Sequence, residues 1–383
     1  TASGAITVAA DSAFGGPGAM TTSGVVSAST YVVSYVNGVD ATAQNVGNSI
    51  SKLTITNSDV KLKTSAALTI NASSLTGSST IQTVAADKDI TVSGAITNNT
   101  DANTLTLMAS RDILVSSPIS GATNKSLTTK FYSDVDNTGG GGFKTTVSTA
   151  AISTFGGGIL VRGGTTDTTT GCAAAYSCIA GYASYANGTT SKGIYLLAPL
   201  NAAGGNIGLY GLGNRVTSTS GVGIELDYTG TVLSTSGSGT ITLEGTSTGA
   251  NHAVNFVKGD VTAGTGLISM TGNASASNAY SGVAIGTSIT SGGALSIYGT
   301  GGSNQYGVYV YGAGNTITTT GDITINGQNA ARNWGVSFHT TGTVQSTAGN
   351  IDITGVGTGG VYLRNVALVA ANNVNSPASG GTI

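Results

Sequence analysis

A chain of 383 residues with a net charge of −2 is long enough for two ordinary domains, yet only 8% of its residues are charged and 60 are glycine. No Lys/Arg cluster offers a footprint for nucleic acid and no run nears the length of a membrane span. The glycines keep no Gly-x-y period, which excludes collagen, and recurring β-branched pairs argue against disorder, so Ser, Thr and Asn supply the surface polarity.

The sequence opens on Thr1-Ala2-Ser3-Gly4 with no initiator Met, signal peptide or lipidation motif, so we expect a processed product or a piece of a longer chain. Tyr31 to Val36 is an apolar strand candidate, and Ala41 to Val46 is expected as a loop or short helix. Leu53-x-Ile55, Val60-x-Leu62 and Leu68-x-Ile70 place apolar residues two apart, the period of a strand with one buried face. Val84-x-Ala86-x-x-Asp89-Ile90-x-Val92-x-x-x-Ile96 recurs as Leu107-x-Ala109-x-x-Asp112-Ile113-x-Val115-x-x-x-Ile119, at an offset of 23.

Residues 121–192 break this rhythm, and we read them as coils carrying long insertions; the alternative is a linker between two regular stretches. Inserted loops are where binding function concentrates. Here fall the glycines Gly139 to Gly142, a strand at Gly157 to Val161, and the tyrosines Tyr176, Tyr182 and Tyr185. Asp134-Val135-Asp136-Asn137-Thr138-Gly139 resembles the start of a calcium loop, but Thr145 stands where the twelfth-position Glu belongs, so we read a polar turn. Cys172 and Cys178 are expected to close a surface loop as a disulfide, which implies an oxidising compartment; the alternative is two unpaired thiols. No second Cys pair or nearby His completes a zinc set, and no metal or cofactor is expected.

From Gly193 the chain repeats two phrases. Apolar-x-apolar-x-Gly closes on Gly211, Gly245, Gly272, Gly299, Gly327 and Gly355, at separations of 34, 27, 27, 28 and 28 residues. Between them Gly-apolar-x-apolar recurs from Gly193, Gly223, Gly282, Gly307, Gly335 and Gly360, with Ala253 in the remaining slot. A third apolar position falls at Leu200, Val232, Val261, Ile289, Ile317 and Val344. A repeat of this length marks an array whose units cannot bury a core alone and must stack. Three short strands per coil of roughly 23–28 residues, stacked about 4.8 Å apart, give a parallel β-helix. A propeller blade needs about 40–50 residues and four strands, too many for this unit. After Leu363 the repeat thins; Val366, Leu368 and Val369 are placed to close one more coil, and Asn372 to Ile383 reads as turn-rich. We divide one continuous solenoid into irregular coils (1–120), coils with insertions (121–192) and regular Gly-rich coils (193–383).

Leu105-Thr106-Leu107-Met108-Ala109-Ser110-Arg111-Asp112-Ile113-Leu114-Val115, its partner Asp89-Ile90-Thr91-Val92, and the Gly-Asp-Ile-Thr-Ile-Asn-Gly of 321–327 resemble the coils of filamentous-haemagglutinin-type bacterial exoproteins. The resemblance implies a right-handed coil, a large secreted surface adhesin, and export by the two-partner route for the parent chain. The family's N-terminal secretion domain is not visible here.

The turns before four of these strands hold His252, Tyr280, Tyr306 and Trp334 in their last positions, and stacking would set these four in a ladder along one edge. Tyr195, Tyr309 and Tyr362 hold matching outward positions on the next strand. Stacked rings suit the flat C–H faces of sugars; equally, they shield a turn and hold register. Glu225 and Asp227, with Glu244 on the neighbouring strand, are the densest carboxylates, and His252 and His339 sit in different coils. No Gly-x-Ser-x-Gly elbow, phosphate loop or His-Glu-x-x-His motif is present, so we expect no enzyme. Asn-x-Ser/Thr at Asn71, Asn98, Asn124, Asn187 and Asn273 is what chance gives in so polar a chain.

The expected function is a rod segment of a secreted bacterial surface or matrix adhesin that presents loops to cells, glycans or matrix. The alternatives are a subunit of a head-to-tail filament, since open solenoid ends template addition, and a polysaccharide-degrading β-helix.

Overall fold

The computed structural model describes side chains at 46, 48–136, 141–164, 192–213, 221–249, 251–274, 280–302, 305–329 and 334–375, and strand backbone alone at 5–10, 20–21, 27–28, 30–35, 40–43, 190–191 and 220. Among the described residues there is no helix. The strands form a 14-stranded and a 23-stranded sheet, beside a short pairing of Ser27–Ala28 with Ser49–Ile50. Neighbouring strands run parallel throughout, as stacked coils of one hand require. The protein is an all-parallel β-solenoid.

Each coil contributes to three faces in turn. Ile268–Ala274 lies on face I, the 14-stranded sheet; Val283–Ile285 lies on face II and Ile289–Ser291 on face III, the two columns of the larger sheet. Ser220–Ser234 and Val254–Ala263 run unbroken from face II to face III and merge the columns into one sheet.

The repeat period becomes vertical alignment. Ile207, Ile241, Ile268, Leu295, Ile323 and Ile351 pair in one register column, and the six phrase-closing glycines from Gly211 to Gly355 in another. All six of those apolar residues are buried, as are their face II partners Ile224, Val254, Val283, Val308 and Val336. Four phenylalanines, Phe131, Phe143, Phe256 and Phe338, are fully enclosed, and the Phe131 and Phe143 rings lie 5.0 Å apart. The apolar spine continues below residue 193: Ile90, Ile113 and Phe143 share a register column.

The closing glycines mark a corner where faces I and II approach backbone to backbone. A Cβ on Gly327 would sit 2.0 Å from the Gly335 carbonyl oxygen, and one on Gly272 2.0 Å from that of Gly282. The two phrases of the repeat are thus the two sides of one pinch. Ala253 fills the corner of its coil instead and is buried together with Ala274.

A second device ties coil to coil. The residue just before a strand's first buried apolar side chain is often Asp, Asn or Ser, and its side chain accepts the backbone N–H of its counterpart one coil later. Asp89 Oδ1 accepts from Asp112 N (3.1 Å), Asp112 Oδ1 from Gly142 N (2.9 Å), Asn206 Oδ1 from Thr240 N (2.9 Å) and Asp322 Oδ1 from Asn350 N (2.7 Å). On face III the chain continues from Asp260 to Ser288 to Thr316. These rungs satisfy N–H groups at turn exits, where the ladder has just begun. Asp322→Ala is expected to lower stability by about 1 kcal/mol, with Asp322→Asn near wild type; thermal melting of the two variants checks it, and equal melting would remove the rung.

Four expectations need correction. Asp40–Ala43 is a strand on face I, paired with Asp59 to Leu62, and neither a loop nor a helix. In the coil of Ser220–Ser234 the third-position residue is Leu233 and not Val232: it pairs with Leu200 and Val261, because register shifts between Leu226 and Leu233 displace Val232. Leu107 lies opposite Ile81 rather than Val84, an offset of 26 on face I, while Ile90 and Ile113 keep 23 on face II. The turn before Ile90 is therefore three residues longer than the turn before Ile113. Glu244 does not neighbour Glu225 and Asp227: it lies on face I and they lie on face II. At the chain's end Ala367–Ala370 and Val374–Asn375 add the further coil.

Candidate functional site: an aromatic surface on face II

Outward-directed side chains of face II alternate with core-facing ones, so their columns can be read along the stack. One column runs Lys144, Tyr195, Glu225, Asn255, Ala284, Tyr309, Ser337, Tyr362. A second, two residues further along each strand, holds Tyr311, His339 and Arg364.

The rings gather over the last three of these coils. Tyr309 stacks on Tyr306 at 4.7 Å and on Tyr311 at 5.2 Å, and meets His339 edge-on at 5.5 Å. His339 contacts Tyr362 at 5.2 Å, and Tyr362 contacts Trp334 at 5.0 Å. The result is one continuous six-ring surface. Small residues make it possible. Buried Ser337 separates Tyr309 from Tyr362 in the column, and the rings of Tyr311 and Trp334 lie over Gly286 and Gly359, where a Cβ would come within 2.7 Å and 2.3 Å of them. The Tyr311 hydroxyl donates to the Phe256 carbonyl at 3.1 Å, fixing its ring.

The four edge residues singled out in the sequence do not form one ladder. His252 and Tyr280 pair at 5.2 Å, while Tyr306 and Trp334 join the six-ring surface through Tyr309 and Tyr362. His252 Nδ1 accepts the Ser281 N–H at 3.2 Å, so this histidine is one of the coil-to-coil rungs. Burial pushes its pKa down to about 4. Tyr311 and Arg364 escaped notice and His339 stood out only as an isolated histidine, although the three repeat one alternation beyond the Gly-apolar-x-apolar phrase. Burial lowers the His339 pKa, with Arg364 adding to the effect, and burial raises those of Tyr309 and Tyr311.

Tyr195 belongs to a different, charged stretch of the same face. The Lys192 Nζ lies 3.5 Å from the centre of its ring and pairs with Glu225 at 2.6 Å; the Tyr195 hydroxyl donates to Asp227 at 3.2 Å, and Lys258 reaches Asp227 at 3.2 Å. Both carboxylates are engaged by cations. Glu244 stands beside Tyr210 and buried Arg162 on face I.

Cys172, Cys178 and the tyrosines 176, 182 and 185 lie outside the described residues, as do 137–140 of the acidic loop. Among the described residues no three His, Cys, Asp or Glu side chains gather as a metal set. Comparison with protein-family models, curated proteins and solved structures finds no match to this chain.

Proposed function

We propose that this chain is a rod segment of a secreted bacterial surface or matrix adhesin, of the filamentous-haemagglutinin type its coil phrases resemble, and that it engages glycans through the aromatic surface of face II. The observation that carries this is six rings from three successive coils in continuous mutual contact on an outward face. A solenoid converts sequence length to reach: fourteen strands on face I span about 60 Å at the usual strand spacing. Rings held by register and by flat glycine seats are pre-organised, so a sugar chain laid across them orders little on binding.

No catalytic role is assigned. Glu225 and Asp227 are tied to Lys192, Tyr195 and Lys258, and Glu244 stands on another face.

The test is oligosaccharide binding to the purified chain. Trp334→Ala and Tyr306→Ala are each expected to weaken it about fivefold, from roughly 1 kcal/mol per ring contact. Binding unchanged in the double variant would remove the glycan role. Continuous fibres in electron micrographs would favour the self-assembling filament, and release of reducing ends from an acidic polysaccharide would favour the lyase or hydrolase.

A further inference from the structure

Beside His339 the ring surface gives way to a hollow of about 180 Å³. It lies where the turns that follow Tyr311, His339 and Arg364 stack on one another, because those three residues share a register column. On one side the turn is Gly312-Ala313-Gly314, with φ of +90° at Gly312 and +77° at Gly314, so it presents almost no side chain. The other sides are formed by His339, Thr340, Thr341, Arg364 and Asn365.

Three polar groups of this lining, Thr340, Thr341 and Arg364, are set to donate. Thr340 Oγ1 accepts the Gly342 N–H at 3.1 Å and Thr341 Oγ1 accepts the Gly314 N–H at 3.3 Å, which leaves both hydroxyl hydrogens to give. Arg364 is exposed, and among the described residues none of the ion pairs includes it. Its charge is felt by the His339 ring. Among the described residues no Asp or Glu lines the hollow. In the charged stretch of face II, by contrast, Lys192 is paired with Glu225 and Lys258 with Asp227. Here, among the described residues, the cation has no ion-pair partner and stands next to an aromatic wall.

We propose that this hollow is a subsite for the carboxylate of an acidic sugar whose ring stacks on the neighbouring His339–Tyr362 surface. The proposal rests on the glycan role above and names its ligand class. A guanidinium fork matches a planar carboxylate bidentately, and the two threonine hydroxyls supply further donors from the opposite wall. An exposed Arg–carboxylate pair alone contributes little, so selectivity depends on the hydroxyls and ring acting with it. The size of the hollow admits one sugar's substituent and not a folded partner.

The experiment is calorimetric titration of the purified chain with oligogalacturonate, a neutral galactan oligosaccharide of equal length, and a dextran sulfate fragment. Oligogalacturonate is expected to bind about tenfold more tightly than the neutral chain, the scale of one charge-assisted contact. Arg364→Gln should abolish that ratio while leaving the neutral affinity and the melting temperature unchanged, since Arg364 is exposed. Thr341→Val should reduce the ratio in part, and Trp334→Ala should weaken both sugars together. Equal binding of the acidic and neutral chains, or a ratio that survives Arg364→Gln, overturns the carboxylate subsite and leaves the glycan role standing. Dextran sulfate binding as tightly as the uronate overturns it too, as a general anion patch. No binding of any oligosaccharide overturns both.

Discussion

Alanine at Gly327 is expected to unfold the coils on either side of it. Its Cβ would lie 2.0 Å from the Gly335 carbonyl oxygen and 2.5 Å from the carbonyl carbon, and neither atom can rotate away as a side chain could. Gly335 is itself fixed from the other side, where its own Cβ would meet the Val356 nitrogen at 2.4 Å. Relief requires faces I and II to separate at this corner, which breaks the register pairs Gly299–Gly327–Gly355 and Val308–Val336–Val361. Overpacking of a closed interior costs about 1–3 kcal/mol, and a backbone-on-backbone clash belongs at or beyond the upper end. Because each coil is stabilised mainly by its neighbours, the damage spreads along the stack. Gly158→Ala is the matched control, since its Cβ first meets the Asn206 oxygen at 3.4 Å, an ordinary contact. Thermal melting should show a large loss for Gly327→Ala and almost none for Gly158→Ala, with amide exchange protection lost across residues 323–363. Equal melting of the two variants would show that the corner is not closed.

The second large effect is a pair of opposed pH dependences. Asp112 is buried, and desolvation raises its pKa to about 7, with Asp89 and Asp134 adding to the rise and the Gly142 N–H and Arg111 opposing it. The folded chain therefore holds this proton more tightly than the unfolded chain. Its contribution is full below about pH 4 and is lost as pH rises through 7, amounting to roughly 4 kcal/mol at about 1.4 kcal/mol per unit. His252 behaves in the opposite sense. Its pKa of about 4 in the folded chain means the imidazole is held neutral, so its contribution is full above about pH 6.5 and is lost as pH falls through 4. With part of the ring open to solvent, about 2 kcal/mol is the expected size.

Between pH 4 and 6.5 the two slopes oppose each other in the wild type, and single variants should separate them. Asp112→Asn keeps the acceptor for the Gly142 N–H and leaves the His252 slope alone, so its melting temperature should fall as pH is lowered from 6.5 to 4. His252→Asn keeps an acceptor for the Ser281 N–H and leaves the Asp112 slope alone, so its melting temperature should fall as pH is raised from 4 to 7. Wild-type profiles in both variants would contradict this account of the two buried rungs.

What could be read from the sequence follows from what repeats. The columns through Ile241 and Gly245 were legible because inward positions tolerate only apolar side chains and the phrase-closing side of the pinched corner tolerates only glycine. Where a turn changed length the period misled: three extra residues before Ile90 hid the pairing of Ile81 with Leu107. A register shift within Ser220–Ser234 hid Leu233 behind Val232 in the same way. The rung residues Asp89, Asn206 and Asp322 stood in plain view before their strands, but a side chain reaching a backbone N–H one coil away leaves no local pattern. Outward positions are least constrained. Tyr306 and Trp334 stood out as aromatics, whereas Tyr311, His339 and Arg364 differ from one another and become one site only when their coils are stacked.

The account depends on residues 28 apart lying directly above one another. Ser296 and Thr324 are outward partners in adjacent coils, and Asn326 is two residues further along the second strand. In a variant lacking the native cysteines, Ser296→Cys paired with Thr324→Cys places the two Cα atoms about 4.8 Å apart, within disulfide range; Ser296→Cys paired with Asn326→Cys places them about 8 Å apart, outside it. Under mild oxidation the first pair should cross-link nearly completely and the second hardly at all, read by peptide mass after digestion. Equal cross-linking of the two pairs, or preference for the second, would contradict the stacked register and with it the ring surface built upon it.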